Sequence, residues 1–456
     1  MLYHVLRAAA VVALRWYYAD IVVQGGERVP DSGPLLLVCN HPNALVDALL
    51  VGTVARRRIR LTAKATLFGN PLLAALLRAI GVVPLRRAAD ERQAARDGAP
   101  VARNADAFAM VRRVLQDGGA VLVFPEGISH DAPALAPIRT GAARMAFDAA
   151  DAGVRQLQVV AVGLVFEAKE RPRSRVLVRI GEPLSIDAWR GANGGGTPAA
   201  LTAEVDRRLR DVTLNFGTAE RAAAAIGLAR ALAALGDGPP PIGIARPLAS
   251  EVDVARRVDD ATAALALAPA DVAADASLFV ARMEVLEQAL ATRGVDMSDL
   301  RISPRLRHGA WFVVRESLVS AVAMPVAALG RLTHWLPLRL SRALAMRSLA
   351  SDPSRDQPAM RTIVLGLVLS LLWYGAQAVL VTHWWGAVAA ALWVAVLIAA
   401  AWTDFLLSDR ISRARARARA YLALRADPAF GVRSVNEADA LLLEARRLEA
   451  RLARAS

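Results

Sequence analysis

Short apolar, β-branched runs alternate with amphipathic stretches along residues 21–215. The apolar runs predict strands at Ile21–Gln24, Leu35–Cys39, Ile59–Thr62, Val82–Leu85, Ala120–Phe124, Gln158–Val165 and Val176–Ile180. The stretches between them have helical periodicity and include Ala44–Ala55, Leu72–Ile80, Ala105–Leu115 and Gly141–Ala150. This alternation predicts an α/β domain whose sheet is mostly buried.

The pattern of residues 1–20 indicates an amphipathic helix. His4, Arg7 and Arg15 fall in one polar arc, and apolar side chains face away from it. Arg15 interrupts the apolar run and no small-residue cleavage site follows, which argues against a signal peptide. We assign residues 1–20 to an interfacial helix at a membrane surface. Docking onto the protein core stays open as the alternative.

Residues 216–305 are rich in Ala, Leu and Arg, and their apolar positions recur with helical spacing. The run Gly236–Pro241 breaks this pattern. No motif that carries chemistry occurs here, so we predict a helical appendage.

The membrane region is predicted at residues 306–409. Two runs without a formal charge, Thr362–Thr382 and Trp384–Thr403, each supply the ~20 residues that cross a bilayer. They predict a transmembrane helical hairpin with its turn near His383–Gly386. The apolar run Ser317–Gly330 is too short to span and contains a proline, so we predict an interfacial or re-entrant segment.

Arginines flank both ends of the predicted hairpin. Arg355 and Arg361 precede it, and a basic run opens the tail at residues 410–456. Cations concentrate in cytoplasmic loops, so both ends are expected in the cytoplasm and the tail is predicted to be a basic cytoplasmic helix.

The composition supports contact with a membrane. Hydrophobic residues make up 55% of the chain, and the formal net charge is +14. A basic surface suits anionic lipids and equally raises nucleic acid as a partner. Aromatic residues amount to only 5% and concentrate in the membrane region, so stacking on bases is not expected and nucleic acid is set aside. A single cysteine, Cys39, excludes an intramolecular disulfide.

The first motif that carries chemistry is NHPNALVD, residues 40–47, directly after a predicted strand. Pro42 suits the first position of a helix, which leaves His41 in the strand-to-helix turn and Asp47 about one turn into the helix. The two side chains meet only if His41 reaches back from the turn. A carboxylate on one imidazole nitrogen then leaves the other free to take a proton. A structural N-cap is the alternative role.

The second motif is FPEGISHD, residues 124–131, which also follows a strand. Farther on, Thr140 is predicted to cap a helix, with Arg139 beside its first turn. A helix N-terminus flanked by guanidinium groups is a ready phosphate site. Two further cationic positions, Lys64 and the pair Arg86-Arg87, follow other strands.

Together these motifs resemble the phospholipid/glycerol acyltransferase family, over roughly residues 15 to 215. The family has an NHxxxxD block, a block ending in a substrate-binding Arg, an FPEG block and a later apolar block. The corresponding positions here are His41 with Asp47, Arg86 or Arg87, Phe124–Gly127 and Val159–Leu164. Five residues rather than four separate His and Asp, and EGISHD replaces EGTRS. Both departures resemble the glycerol-3-phosphate and dihydroxyacetone-phosphate acyltransferase branch with C-terminal membrane spans.

The resemblance implies an O-acyltransferase of phosphatidic acid and phospholipid synthesis. A fatty acyl group would pass from acyl-CoA or acyl carrier protein to glycerol-3-phosphate, with no metal and no cofactor. The implied catalytic residues are His41 and Asp47. The implied substrate-binding residues are Lys64, Arg86, Glu126, Gly127, Arg139 and Thr140. The expected partners are membrane lipids, the acyl donor and the phosphorylated acceptor, at a bacterial inner membrane with the catalytic domain facing the cytoplasm.

Two alternatives stay open. We predict glycerol-3-phosphate as the acceptor, with 1-acylglycerol-3-phosphate (lysophosphatidic acid) as the alternative. An inactive, membrane-anchored scaffold of the same fold is the other alternative. The presence of His41, Asp47 and Glu126 together argues against it.

Overall fold

The computed structural model describes residues 2–85, 105–242, 246–303, 305–350 and 358–455. These residues form two compact units. Unit 1 consists of Met1–Asn215 and Ala345–Val364, and unit 2 consists of Phe216–Leu344 and Leu365–Ser456. The end of the first segment of unit 1 coincides with the predicted end of the acyltransferase-type domain.

Unit 1 is built on a mixed sheet of eight strands in the described part of the chain. The strands are β1 (Asp20–Gln24), β2 (Leu35–Cys39), β3 (Ile59–Lys64), β4 (Val83–Leu85), β5 (Ala120–Val123), β6 (Gln158–Phe166), β7 (Arg175–Ile180) and β8 (Leu184–Ser185). Their order is β1-β7-β6-β2-β5-β3-β4, with β8 paired to β6. The predicted α/β class and buried sheet are therefore confirmed.

The five strands β2 to β6 run parallel, so their carboxyl ends share one edge of the sheet. Strand β7 pairs antiparallel with β6 and parallel with β1. Strand β2 lies between β5 and β6 and is wholly buried, which explains its unbroken apolar run, Leu35–Cys39. The residues that follow β2, β3, β5 and β6 are thereby brought to a common edge.

Helices cover both faces of this sheet. Those of unit 1 are α1 (Leu2–Tyr17), α2 (Leu45–Val54), α3 (Pro71–Ile80), α4 (Ala105–Gln116), α5 (Gly141–Asp151), α6 (Ile186–Ala192) and α7 (Pro198–Val212). Alternate residues of β2 point to opposite faces: Leu36 joins the core under α4, α5 and α7, whereas Leu37 joins the core under α1 and α2. The unit is thus a three-layer α/β/α structure.

Helix α1 docks onto the core of unit 1 and also leaves apolar side chains exposed. Its C-terminal half is docked, with Leu14 and Tyr17 buried against the sheet. Arg7, from the predicted polar arc, donates to three backbone carbonyls at the C-terminal end of α2, those of Gly52, Thr53 and Ala55. Other apolar side chains, including Val5 and Val12, remain exposed.

Unit 2 is helical in its described residues. Its helices are α8 (Ala219–Asp237), α9 (Leu248–Leu265), α10 (Ala270–Ala291), most of α11 (Leu306–Ala350), most of α12 (Pro358–Ala426) and α13 (Pro428–Ala455). Apolar residues of α8, α10, the end of α12 and α13 form one core. The tail predicted from residue 410 onward therefore takes part in this core through Leu424 and Leu441.

Helices α11 and α12 are long and apolar enough to cross a membrane. The backbone of α12 is broken at Gly386, which has φ +84°, and the hydrogen bond from Trp393 to Gln377 joins the two arms on either side. The segment Ser317–Gly330, predicted to be interfacial or re-entrant, lies inside the 45-residue helix α11. Apolar side chains on these helices are exposed, as on a surface that contacts lipid.

Candidate active site

The first motif forms a turn between β2 and α2 that brings His41 to Asp47. His41 Nδ1 lies 3.0 Å from Asp47 Oδ2, and the same oxygen accepts the Asn43 backbone N–H at 2.7 Å. Asp47 is fully buried, and the His41 side chain is 11% exposed. A carboxylate that accepts the Nδ1 proton leaves Nε2 as the basic nitrogen. Among the described residues, no hydrogen bond to His41 Nε2 is found.

The start of helix α2 differs from the prediction. Pro42 was expected as its first residue, but the helix begins at Leu45, and Ala44 adopts φ +47°, ψ −125°. Side chains accept hydrogen bonds from the backbone of this turn: the Asn43 N–H donates to Asp47, and the Ala44 N–H donates to Ser129 Oγ. The turn is therefore shaped by residues that local helix propensity does not reflect.

Burial dominates the electrostatics around Asp47. Desolvation raises the pKa of the Asp47 carboxyl, and the bond and charge of His41, the Asn43 N–H and Lys169 oppose that rise. Asp47 Oδ1 has no hydrogen-bond partner among the described residues. Next to the pair, Asn43 Nδ2 donates to the buried Tyr18 hydroxyl at 3.0 Å. The His41 ring stacks on Phe124 with centroids 3.9 Å apart, which fixes its plane.

The second motif lies on the same edge, after β5, and its Glu126 faces inward. Its Oε1 accepts the His41 backbone N–H at 2.7 Å. Its Oε2 accepts the Ala136 N–H at 2.7 Å and forms a short bond with His130 Nε2. The Glu126 side chain is 1% exposed. Both oxygens of this buried carboxylate are therefore hydrogen-bonded within the protein, and its expected role in binding the glycerol stays a prediction.

Gly127 and Arg139 pack against each other. Gly127 has φ +72°, and a Cβ at this position would lie 3.0 Å from Arg139 Nε, so both conformation and space favour glycine. Arg139 Nε donates to the Glu126 carbonyl at 3.1 Å, and the residue is exposed. The guanidinium is thus anchored at one nitrogen beside the His41 turn.

The remaining predicted residues are placed as follows. Helix α5 begins at Gly141 after Thr140, as expected, but the Thr140 side chain makes no capping bond in the described structure. Lys64 ends β3 and is half-buried. Arg86 and Arg87 lie outside the described residues. No group of three or more His, Cys, Asp or Glu that could hold a metal occurs within the described ranges.

Sequence reasoning missed Lys169, which follows β6 by three residues. Its Nζ donates to the Pro42 carbonyl at 2.6 Å and pairs closely with Asp131. Because β6 runs parallel to β2, its carboxyl end delivers Lys169 to the edge that carries His41. One signal was available: Lys169 and Lys64 are the only lysines among 56 basic residues.

Part of this chain is similar to known acyltransferases. Residues 20–165 match the family model described as Acyltransferase. The chain is 34% identical to glycerol-3-phosphate O-acyltransferase 2 of Saccharomyces cerevisiae over 107 residues, which are 23% of this chain and 14% of that protein. It is 23% identical over 257 residues to an uncharacterized acyltransferase of Schizosaccharomyces pombe, covering 38% of each protein. The chain thus spans well under half the length of both relatives.

A solved structure also matches. The crystal structure of the 1-acyl-sn-glycerophosphate (LPA) acyltransferase PlsC from Thermotoga maritima aligns with a TM-score of 0.34 and 20% identity. The alignment covers 46% of this chain and 78% of that chain.

Proposed function

We propose that this chain, whose residues 20–165 match the Acyltransferase family model, acylates glycerol-3-phosphate at a membrane. The observation that carries the proposal is the pair His41–Asp47, whose Nδ1 and Oδ2 lie 3.0 Å apart at the carboxyl edge of the sheet. The yeast relative is named a glycerol-3-phosphate acyltransferase, which favours the same acceptor here.

In the proposed reaction His41 acts as the general base. Its Nε2 takes the proton of the acceptor hydroxyl while the hydroxyl oxygen attacks the thioester carbonyl of acyl-CoA or acyl carrier protein. The C–S bond then breaks, and the proton passes from Nε2 to the leaving thiolate. The products are the glycerol ester and the free thiol. Asp47 holds the imidazole in the tautomer that leaves Nε2 unprotonated and stabilises the imidazolium as it forms.

The acceptor phosphate is proposed to lie near the cations of the same edge. Arg139 is exposed and anchored beside the His41 turn, at the start of α5. Lys64 ends a strand that is parallel to β5. Guanidinium and ammonium groups with a helix N-terminus bind phosphate through charge-assisted hydrogen bonds. Arg86, outside the described residues, belongs to the same proposed set.

The exposed apolar helices of unit 2 and the exposed apolar side chains of α1 support a membrane location. We place the catalytic unit at the cytoplasmic face of the cell membrane, where acyl donors are made and the acyl product enters the bilayer.

A panel of acceptors tests the proposal. The purified full chain in detergent micelles receives labelled palmitoyl-CoA with glycerol-3-phosphate, dihydroxyacetone phosphate or lysophosphatidic acid, and His41→Ala is the control. Transfer to glycerol-3-phosphate that depends on His41 is expected. Faster turnover of lysophosphatidic acid than of glycerol-3-phosphate would show that the chain is an acyltransferase but that the proposed acceptor is wrong. No transfer to any acceptor, with palmitoyl-CoA or with an acyl carrier protein, would show that the chain is not an acyltransferase.

A further inference from the structure

Lys169 ties the His41 turn to the second motif. Its Nζ reaches the Pro42 carbonyl at 2.6 Å and the His130 carbonyl at 3.5 Å, and it pairs with the Asp131 carboxylate. The side chain is 16% exposed. The Lys169 ammonium thus neutralises Asp131 and hydrogen-bonds to one backbone carbonyl of each motif, which links the two loops.

The His41 turn is also fastened to the second motif directly. The His130 N–H donates to the His41 carbonyl at 3.3 Å, and the Ala44 N–H donates to Ser129 Oγ at 3.1 Å. The His41 N–H is taken by Glu126 Oε1. Backbone groups on both sides of the imidazole are therefore fixed by residues of the segment 124–131.

Glu126 is itself held in place from three directions. Besides the His41 N–H, its carboxylate accepts from the Ala136 N–H and from His130 Nε2. The Ala132 N–H donates to His130 Nδ1, so Nε2 carries the proton that points at Glu126. Both carboxylate oxygens are thus satisfied within the protein.

We propose that Lys169 and Glu126 are positioning residues, which clamp the His41 turn from two sides without touching the acceptor. The kinetic part of this inference rests on the proposed function. A displacement of about 1 Å at a reacting group costs on the order of 10²-fold in rate, so loss of either residue is expected to act on turnover. A residue that bound the acceptor would act on its KM instead.

The two lysines of the chain give a matched comparison. Lys169→Met is expected to lower kcat by about tenfold or more, with the acceptor KM unchanged within about twofold. Lys64→Met, which removes a proposed phosphate ligand, is expected to raise the acceptor KM. Lys169→Arg keeps the charge and most of the reach, and is expected to recover part of the lost kcat. If Lys169→Met raises the acceptor KM and leaves kcat intact, the proposal is wrong.

Glu126→Gln is the second variant that tests the proposed positioning role. The amide carbonyl can still accept the His41 N–H, but the NH2 group that replaces Oε2 can accept neither the Ala136 N–H nor the His130 Nε2–H. A fall in kcat at constant acceptor KM is expected. Glu204→Gln on α7, where the carboxylate pairs with Arg207 and Arg208, is the control and is expected to leave both constants unchanged. A selective rise in acceptor KM in Glu126→Gln would assign Glu126 to substrate binding.

A measurement without turnover separates this inference from the proposed function. Diethyl pyrocarbonate modification of His41, mapped by mass spectrometry, is expected to be slow in the wild type, where the side chain is 11% exposed. Lys169→Met and Glu126→Gln are expected to accelerate it about threefold or more as the turn loosens, whereas Glu204→Gln leaves it unchanged. Unchanged rates in both variants would overturn the clamp even if the wild type were inactive. If Lys169→Met does not fold, Lys169→Arg and Glu126→Gln carry the same comparison.

Discussion

His41 and Asp47 are six positions apart in the sequence, yet their side chains lie 3.0 Å apart, Nδ1 to Oδ2. Two residues at this spacing on a regular helix would point in different directions. They meet because the helix begins only at Leu45, after Ala44 has turned the chain with a positive φ. The strained turn and the proposed catalytic pair are thus parts of one structure.

Ala44 gives a direct test of that relationship. A residue with a side chain at φ +47° costs about 1–3 kcal/mol, and glycine removes the strain at a cost of about 0.5–1 kcal/mol in chain entropy. Ala44→Gly is therefore expected to keep activity and to raise the free energy of unfolding by on the order of 1 kcal/mol. Denaturant unfolding and initial rates measure the two effects.

Ala44→Val is the matched opposite, because a β-branched residue at positive φ is a steric outlier. The turn must shift, the His41–Asp47 contact opens, and kcat is expected to fall at least about tenfold. Full activity in the valine variant would mean that the conformation of residue 44 does not set the geometry of the pair.

Substitution of Asp47 is expected to lower activity without lowering stability. His41→Ala should reduce kcat by ~10²–10⁴, the usual value of general-base assistance, and Asp47→Asn should cost nearly as much. Burial raises the pKa of Asp47 above its ordinary value of 3.8, so the ionised form costs free energy in the folded protein. The side-chain oxygen of Asn can still accept from His41 Nδ1 and from the Asn43 N–H. The other oxygen of Asp47, Oδ1, has no hydrogen-bond partner among the described residues, so its replacement breaks no hydrogen bond there. Asp47→Asn is thus expected to unfold at the same or a higher temperature at pH 7.

The pH dependence of that difference has a defined sign. The folded pKa lies above the unfolded one, so the wild type loses stability relative to Asp47→Asn as the pH rises through the window between them. Below this window Asp47 is neutral in both states and the difference shrinks. Thermal unfolding of both proteins across acidic and neutral pH checks it, and a gap that widens toward low pH would contradict the assignment.

The sequence predicted the fold well and the site partly. Each of the seven predicted strands exists, because buried parallel strands have apolar runs that alternate with amphipathic helices. The two-residue strand Leu184–Ser185 is too short to show a period. The start of α2 was misplaced because Ser129 and Lys169, 85 and 127 positions away from their partners, fix the turn. Contacts of such long sequence separation leave no local pattern.

The pairing of Arg410 with Glu316 and of Arg417 with Asp299 was equally invisible to the sequence. The sequence placed these arginines in a basic cytoplasmic helix, and in the structure each also pairs with a buried carboxylate from earlier in the chain. Their positions are thus explained at least in part by helix packing within unit 2.

Arg139 tests the proposed phosphate site. Loss of one charge-assisted hydrogen bond costs roughly 1.5–3 kcal/mol, so Arg139→Gln is expected to raise the acceptor KM by on the order of tenfold to a hundredfold. The KM of palmitoyl-CoA should change much less. Arg112→Gln is the control, since Arg112 pairs with Asp148 on neighbouring helices of unit 1. Equal effects of Arg139→Gln on both substrates would remove Arg139 from the acceptor site.

The number of membrane crossings can be decided with single cysteines. The native Cys39 is buried, and burial raises the pKa of its thiol well above the ordinary range, so it should stay unlabelled in the folded protein. Cysteines at Ser32 and Arg454 report the two flanks, and His383→Cys reports the turn of the predicted hairpin. With a hairpin as the only spanning element, Ser32 and Arg454 label from the cytoplasmic side and position 383 labels from the other.

Because α11 is also long and apolar enough to cross, a third crossing would instead place Ser32 and Arg454 on opposite sides. Maleimide labelling of intact spheroplasts and of inverted vesicles distinguishes the outcomes, and labelling in detergent confirms that each cysteine can react.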